Sequence, residues 1–64
     1  MDLIRIETYE GNAVLEHFIN CKYIVRMSDL PNGQSEILLE SGDRYIVNQS
    51  IYKIKEKIDD AMKS

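Results

Sequence analysis

The sequence predicts an α+β domain: a small twisted antiparallel sheet, or a partly open barrel, of four to five strands with one C-terminal helix packed on it. Stretches of alternating apolar and polar residues recur over residues 3–47, with turn residues between them. Ser50 then precedes an apolar stripe at helical spacing. A chain of 64 residues is expected to form a single domain, residues 1–64.

Two strands joined by a turn are predicted at the start of the chain. Residues 3–8 alternate, with Ile4 and Ile6 on the face opposite Arg5. Gly11 and Asn12 follow as turn residues. Residues 13–19 are apolar on both faces and also fit a turn and a half of helix; the short length and the preceding turn favour a strand.

A third strand and a well-defined loop follow. Residues 22–28 alternate, which places Tyr23, Val25 and Met27 on one side of a strand. Residues 29–34 contain a proline and the pair Asn-Gly, the strongest short-range turn signal in the chain. The sequence therefore predicts a tight loop between the third and fourth strands.

A hairpin followed by a helix is predicted for the second half of the chain. Residues 35–40 and 44–47 are the two strands, and Gly42 supplies the positive φ of the turn. Ser50 caps a helix over residues 51–62, whose apolar stripe packs on the sheet and comprises Ile51, Ile54, Ile58 and Met62. The expected core comprises Ile4, Ile6, Leu15, Phe18, Ile24, Ile37, Leu39, Val47, Ile51, Ile54 and Ile58.

Composition narrows the function classes. The formal net charge is −3, which disfavours general attraction to a phosphate backbone. No apolar run approaches the length of a membrane span, and no secretory leader is visible at the start, so a cytoplasmic location is expected. Cys21 is the single cysteine, which excludes an internal disulfide.

No catalytic, metal or cofactor site is predicted. The acidic residues are scattered over strand faces and turns, whereas paired-carboxylate catalysis needs two of them together in a cleft. His17 is the only histidine, and the three glycines are isolated in turns. An enzyme is therefore the least favoured class, and no cofactor or small-molecule substrate is expected.

Residues 40–58 resemble the end of the small flagellar FlbD family, which is also known through the swarming motility protein SwrD. In that family a strand, a turn and a Tyr-x-Val strand lead to a short helix ending in Glu-Lys-Ile. The matching positions are Gly42, Tyr45, Val47, Ser50, Ile51, Ile54, Glu56, Lys57 and Ile58. The same segment is similar to the last hairpin and helix of LytTR-type DNA-binding domains. Both resemblances imply a hairpin–helix unit and say little about activity.

Two function classes remain. The favoured one is a regulatory or interaction module that acts through a protein partner or as a homodimer, because one helix covers only one face of a sheet. The expected interaction surface comprises Leu3, Tyr23, Val25, Leu30 and Leu38. The alternative is a nucleic-acid-binding sheet that uses Arg5, Arg26 and Arg44, with tyrosines 9, 23 and 45 as stacking platforms.

Overall fold

The computed structural model describes residues 2–63 and confirms the α+β class. Five strands form two antiparallel sheets, and a C-terminal helix follows them. The described residues form no closed barrel. The elements are β1 (Leu3–Glu10), β2 (Ala13–Asn20), β3 (Ile24–Asp29), β4 (Ser35–Leu39), β5 (Arg44–Val47) and α1 (Ile51–Met62), with short 3-10 turns at Cys21–Tyr23 and Pro31–Gly33.

The first sheet is the hairpin of β1 and β2. The strands pair from Leu3 opposite Asn20 to Glu10 opposite Ala13, so residues 13–19 are strand and not helix, as predicted. Gly11 has φ +61°, while Asn12 is not among the residues with positive φ. These are the φ signs of a type II′ turn, which favours glycine at its first central position.

The second sheet has the order β3–β4–β5. Asn32 and Gly33 have φ values of +67° and +74°, and Leu30 N donates to Gln34 O at 2.8 Å, which closes the loop between β3 and β4. Gly42, with φ +96°, supplies the turn between β4 and β5 as expected. The Asn-Gly pair and Gly42 thus adopt the positive φ values that these residue types favour in turns.

A β-bulge changes the predicted faces of β3. Ile24 lies opposite Leu39, and Arg26 lies opposite Leu38, so Val25 is an extra residue. The predicted grouping of Tyr23, Val25 and Met27 on one side is therefore wrong. Residues 21–23 form a 3-10 turn before the strand, and the bulge brings Ile24 and Met27 to the inner face instead.

Helix α1 begins after the cap predicted for it. The Ser50 side chain accepts a hydrogen bond from Lys53 N at 3.3 Å. Ile54 is fully buried, and Ile58 and Ala61 are half-buried against the core. Met62, at the end of the predicted stripe, is exposed, because Ala61 takes the inner position in the last turn.

Among residues 2–63, six aliphatic side chains from both sheets and the helix form the buried core. They are Ile4, Ile6, Ile19, Ile37, Val47 and Ile54. Five of these were predicted, while Ile24, Leu39, Ile51 and Ile58 are only half-buried. The prediction of Leu15 and Phe18 as core residues is wrong, and Ile19 was missed. Phe18 pairs with Arg5 on the outer face of the hairpin, whereas Ile19 pairs with Ile4 on the inner one.

Candidate protein-interaction surface

The β1–β2 hairpin extends past the core. Each strand has eight residues, which corresponds to about 27 Å of extended chain. The core residues of the hairpin lie at its open end, at Ile4, Ile6 and Ile19, and the overall extents of the protein are 34 × 19 × 19 Å. The half of the hairpin next to the Gly11 turn therefore contributes no side chain to the buried core, although β5 lies beside β1 there.

The outer face of this hairpin carries exposed apolar side chains. Tyr9 pairs with Val14 near the turn, and both are more than half exposed. Phe18 pairs with Arg5 nearer the core and is 64% exposed. Leu15 adds a further exposed apolar side chain on the inner face of the hairpin. We call Tyr9, Val14, Leu15 and Phe18 the hairpin patch.

The polar side chains of β2 are held by the protein itself. Arg5 Nε donates to Glu16 Oε2 at 2.6 Å, and Arg5 Nη2 lies 3.4 Å from Glu7 Oε2. The hydrogen bond and charge of Glu16, followed by the charge of Glu7, raise the pKa of Arg5. Since Arg5 already faces two carboxylates, little of its charge is left for another anion.

His17 is held on the inner face. Its Nε2 is 2.9 Å from Thr8 Oγ1, and its ring centroid is 4.7 Å from that of Tyr45. This contact connects the hairpin to β5 of the second sheet. Neither His17 nor Glu16 is therefore free to cover the backbone edge of β2.

The outer edge of β2 has no strand partner among residues 2–63. Natural sheets protect such edges with lysine, proline, bulges or covering segments. β2 contains no lysine or proline, and its pairing with β1 is regular from end to end. By contrast, the outer edge of β3 carries the bulge at Val25. Of the outer edges of β2 and β3, that of β2 is thus the less protected.

The five residues of the expected surface do not form one patch. Leu3 lies on the outer hairpin face, Tyr23 in the 3-10 turn, and Val25 at the bulge, and all three are exposed. Leu30 and Leu38 are half-buried, in a loop and in the middle strand of the second sheet. Sequence reasoning missed the hairpin patch because Leu15 and Phe18 were assigned to the core. The signal that could have found it is the apolar character of both faces of β2.

The expected arginine face is divided between the two sheets. Arg26 and Arg44 flank Leu38 on the outer face of the second sheet. Arg5 lies on the hairpin and is paired with glutamates. Of the expected stacking platforms, Tyr45 faces inward against His17, whereas Tyr9 and Tyr23 are exposed on separate elements.

The remaining chemistry-bearing groups are engaged or dispersed. No group of three or more His, Cys, Asp or Glu residues that could hold a metal is found within residues 2–63. Cys21 is half-buried, and burial, with a smaller effect from Asp2, raises the pKa of its thiol. This shift lowers the thiolate fraction at neutral pH, which is the opposite of what a nucleophile needs.

A polar cleft of about 160 Å³ lies between β1, the segment after β5, and α1. Arg5, Glu7, Gln49 and Lys57 contribute to its lining. Lys57 Nζ donates to the backbone carbonyl of Arg5 at 2.7 Å, and the guanidinium of Arg5 is paired with Glu16. Gln49 Oε1 is buried and accepts no hydrogen bond from the described residues. Lys57 therefore ties the helix to β1, and the charge of Arg5 is held within the hairpin.

Comparison with known proteins identifies no relative of this chain. No family model matches the chain, and neither a curated protein nor a solved structure matches it. Within the part of the chain that the structure describes, no helix is long and apolar enough to cross a membrane.

Proposed function

We propose that this chain is a non-enzymatic interaction module, of a regulatory or adaptor kind, that binds a protein partner by adding an extended segment of that partner to the edge of β2. The observation that supports it is β2 itself. This strand has eight residues, an unpaired outer edge, and exposed apolar side chains on both of its faces. Such an edge presents its free N–H and C=O groups to another strand.

Strand addition would use both the unpaired backbone edge of β2 and its exposed apolar side chains. Backbone hydrogen bonds to the edge supply affinity, and pockets for alternate side chains supply specificity. On the outer face, a partner strand would pack its side chains against Val14 and Phe18. On the inner face it would contact Leu15. A partner segment that alternates apolar and small polar residues fits this arrangement.

A second copy of the chain is one such partner, which makes a homodimer part of the proposal. In such a dimer the β2 strands of the two copies would pair antiparallel across a two-fold axis. Residues on the same face of the sheet lie opposite each other only when that axis passes through a residue of β2, which then lies opposite its own copy. An axis at Glu16 sets two glutamates opposite each other. An axis at His17 sets Leu15 opposite Ile19 of the second copy and is the better register.

The second candidate function, nucleic-acid binding through Arg5, Arg26 and Arg44, has less support. Arg5 is paired with two glutamates and lies on a different sheet from the other two arginines. The net charge of −3 also opposes binding to a phosphate backbone. Kinship with the FlbD family is likewise a proposal; the turn after β4, strand β5 and most of the capped helix α1 occupy residues 40–58, which resemble it.

Peptide selection tests the proposed function. A random peptide library displayed on phage is selected against the full chain, and enriched peptides are titrated into labelled protein while backbone amide shifts are followed. We expect extended, alternating peptides whose shift changes are largest over Ala13–Asn20. Sedimentation velocity at several concentrations measures self-association in parallel. Labelled single-stranded and duplex oligonucleotides at low and moderate salt test the second candidate.

A matched pair of variants makes the test specific. Phe18→Lys places a charge in the hairpin patch and should weaken peptide binding by about tenfold or more, since lysine is a natural protector of edges. Tyr52→Lys introduces the same charge at another exposed aromatic, on α1, and should leave binding unchanged. Shift changes confined to another surface, or oligonucleotide binding tighter than peptide binding, would overturn the proposal.

A further inference from the structure

A row of three side chains crosses the outer face of the second sheet. Arg26 on β3 lies opposite Leu38 on β4, and Leu38 lies opposite Arg44 on β5. Neighbouring strands are about 4.8 Å apart, so the Cα atoms of the two arginines are about 10 Å apart with Leu38 midway. We call these three residues the arginine row.

The charges of the arginine row have no partner within the described residues. Arg26 and Arg44 are exposed, and neither has a carboxylate within ion-pair distance. Arg5 differs in this respect, because two glutamates hold it. Leu38 is half-buried between the two arginines and presents an aliphatic surface. The row therefore offers cation, aliphatic contact and cation in a straight line.

A second copy of the chain is a poor occupant for this face. A two-fold interface presents the same patch on both subunits, so two copies of the row would bring four guanidinium groups together. Glu36 is the one acidic residue in the paired registers of this face, and it lies in the next row, between Ser28 and Ile46. The like charges outnumber the opposite ones, which disfavours self-association here.

A nucleic-acid strand is also disfavoured. Phosphate-backbone binding requires several clustered cations, and the row supplies two. Glu36, in the next row of this face, would repel a phosphate chain that continued past the arginines. Leu38, at the centre of the row, offers a phosphate no favourable contact. The chemistry instead suits carboxylates that flank an apolar side chain.

The spacing of the row matches one stripe of an α-helix. Residues i and i+7 of a helix are about 10.5 Å apart along its axis, and residues i+3 and i+4 lie midway on the same face. We propose that the arginine row binds an acidic amphipathic helix of a partner protein, which crosses the three strands and presents acid, aliphatic and acid at i, i+3 or i+4, and i+7. This goes beyond strand addition at β2, because it uses another face and another kind of partner segment.

Designed peptides test the proposal with the full chain. The probe is a capped, alanine-rich helical peptide of about 18 residues, with glutamates at i and i+7 and leucine at i+3 and i+4. The control peptide has the same composition, but its glutamates are moved two positions along, to the opposite face of the helix. Fluorescence anisotropy at low and moderate salt measures binding, and amide shifts locate it.

The probe should bind in a salt-sensitive manner, with shift changes over β3, β4 and β5, and the control peptide should bind at least about tenfold more weakly. Arg26→Gln combined with Arg44→Gln should reduce probe binding by about tenfold or more. Lys22→Gln combined with Lys63→Gln removes the same charge from two exposed lysines elsewhere and should have little effect. Urea midpoints confirm that both double variants stay folded.

Three results would overturn the proposal: no binding of the probe, equal binding of probe and control peptide, or binding unchanged by the loss of both arginines. Displacement of the probe by a short oligonucleotide of higher affinity would also overturn it, in favour of a nucleic-acid site. Phe18→Lys lies outside this face and should leave probe binding intact. The outcome is therefore separate from the test of strand addition at β2.

Discussion

Ser35 Oγ donates a 2.6 Å hydrogen bond to the backbone carbonyl of Gln49, fourteen residues further along the chain. Ser35 is the first residue of β4 and is fully buried. Gln49 immediately precedes Ser50, which caps α1. This single bond therefore ties the start of the middle strand to the segment that leads into the helix.

Ser35→Ala should destabilise the protein by about 1–3 kcal/mol, because it leaves the Gln49 carbonyl without its donor in a partly buried position. Urea unfolding monitored by far-UV circular dichroism measures the loss. Ser41→Ala is the control, since the Ser41 hydroxyl bonds to Asp43 in an exposed turn. Equal midpoints for the two variants would contradict the role given to Ser35.

Ile54→Ala should lower the free energy of unfolding by about 2–5 kcal/mol, because it opens a cavity at the fully buried centre of the contact between helix and sheets. That range approaches the whole stability expected of a small domain. Met62→Ala on the same helix removes an exposed side chain and should change the urea midpoint little. An Ile54 variant as stable as wild type would show that α1 does not dock as described.

Ile19→Ala and Phe18→Ala should differ sharply although the two residues are adjacent. Ile19 lies in the core, so its truncation should cost about 2–5 kcal/mol. Phe18 is mostly exposed, and its truncation should cost well under about 1 kcal/mol. Thermal unfolding of the two variants measures this contrast. A larger loss of stability for Phe18→Ala than for Ile19→Ala would show that the opposite face of β2 is buried.

Ser50→Ala should cost about 1 kcal/mol, through loss of the hydrogen bond from Lys53 N at the start of α1. Ser50→Asp retains an acceptor at this position and should recover most of that stability. Urea midpoints of the two variants give the comparison. No difference between them would mean that the cap contributes nothing.

Cys21 should alkylate more slowly in the folded protein than in urea at pH 8–9. Burial and, to a smaller extent, Asp2 raise the pKa of its thiol, so the folded state favours the protonated form. The stability that this shift provides is complete below the unfolded pKa and is lost as pH rises through the folded one. The stability of the Cys21→Ala variant should therefore fall less between pH 7 and 10 than that of the wild type, as urea midpoints would show. Equal alkylation rates in native buffer and urea would contradict it.

Much of the fold was predictable because most elements have one apolar face. β1 and β4 alternate with the period of a strand, and Ser50 marks the helix, so Ile4, Ile6, Ile37 and Ile54 were placed correctly. When a strand is apolar on both faces, the residue pattern alone cannot show which face is buried. In β2 the choice between Phe18 and Ile19 depends on which face meets the rest of the protein, and that is a property of the tertiary fold.

The candidate surfaces were harder to predict than the fold. The bulge at Val25 inserts one residue into β3, which reverses the face of every residue before it relative to those after it. Without the strand pairings, Arg26, Leu38 and Arg44 could not be placed in one row. The pairing of Arg5 with Glu7 and Glu16 likewise depends on the hairpin register, which separates Arg5 from the other arginines.

The makeup of the core determines which spectroscopic signals report on folding. Five of its six side chains are isoleucine, drawn from β1, β2, β4 and α1, and none is aromatic. The chain has no tryptophan, so intrinsic fluorescence comes from its four tyrosines, all outside this buried set. Selective ¹³C labelling of isoleucine δ1 methyl groups would instead place a nuclear magnetic resonance probe in both sheets and in the helix. Those methyl groups can show whether hairpin, second sheet and helix melt together or one after another.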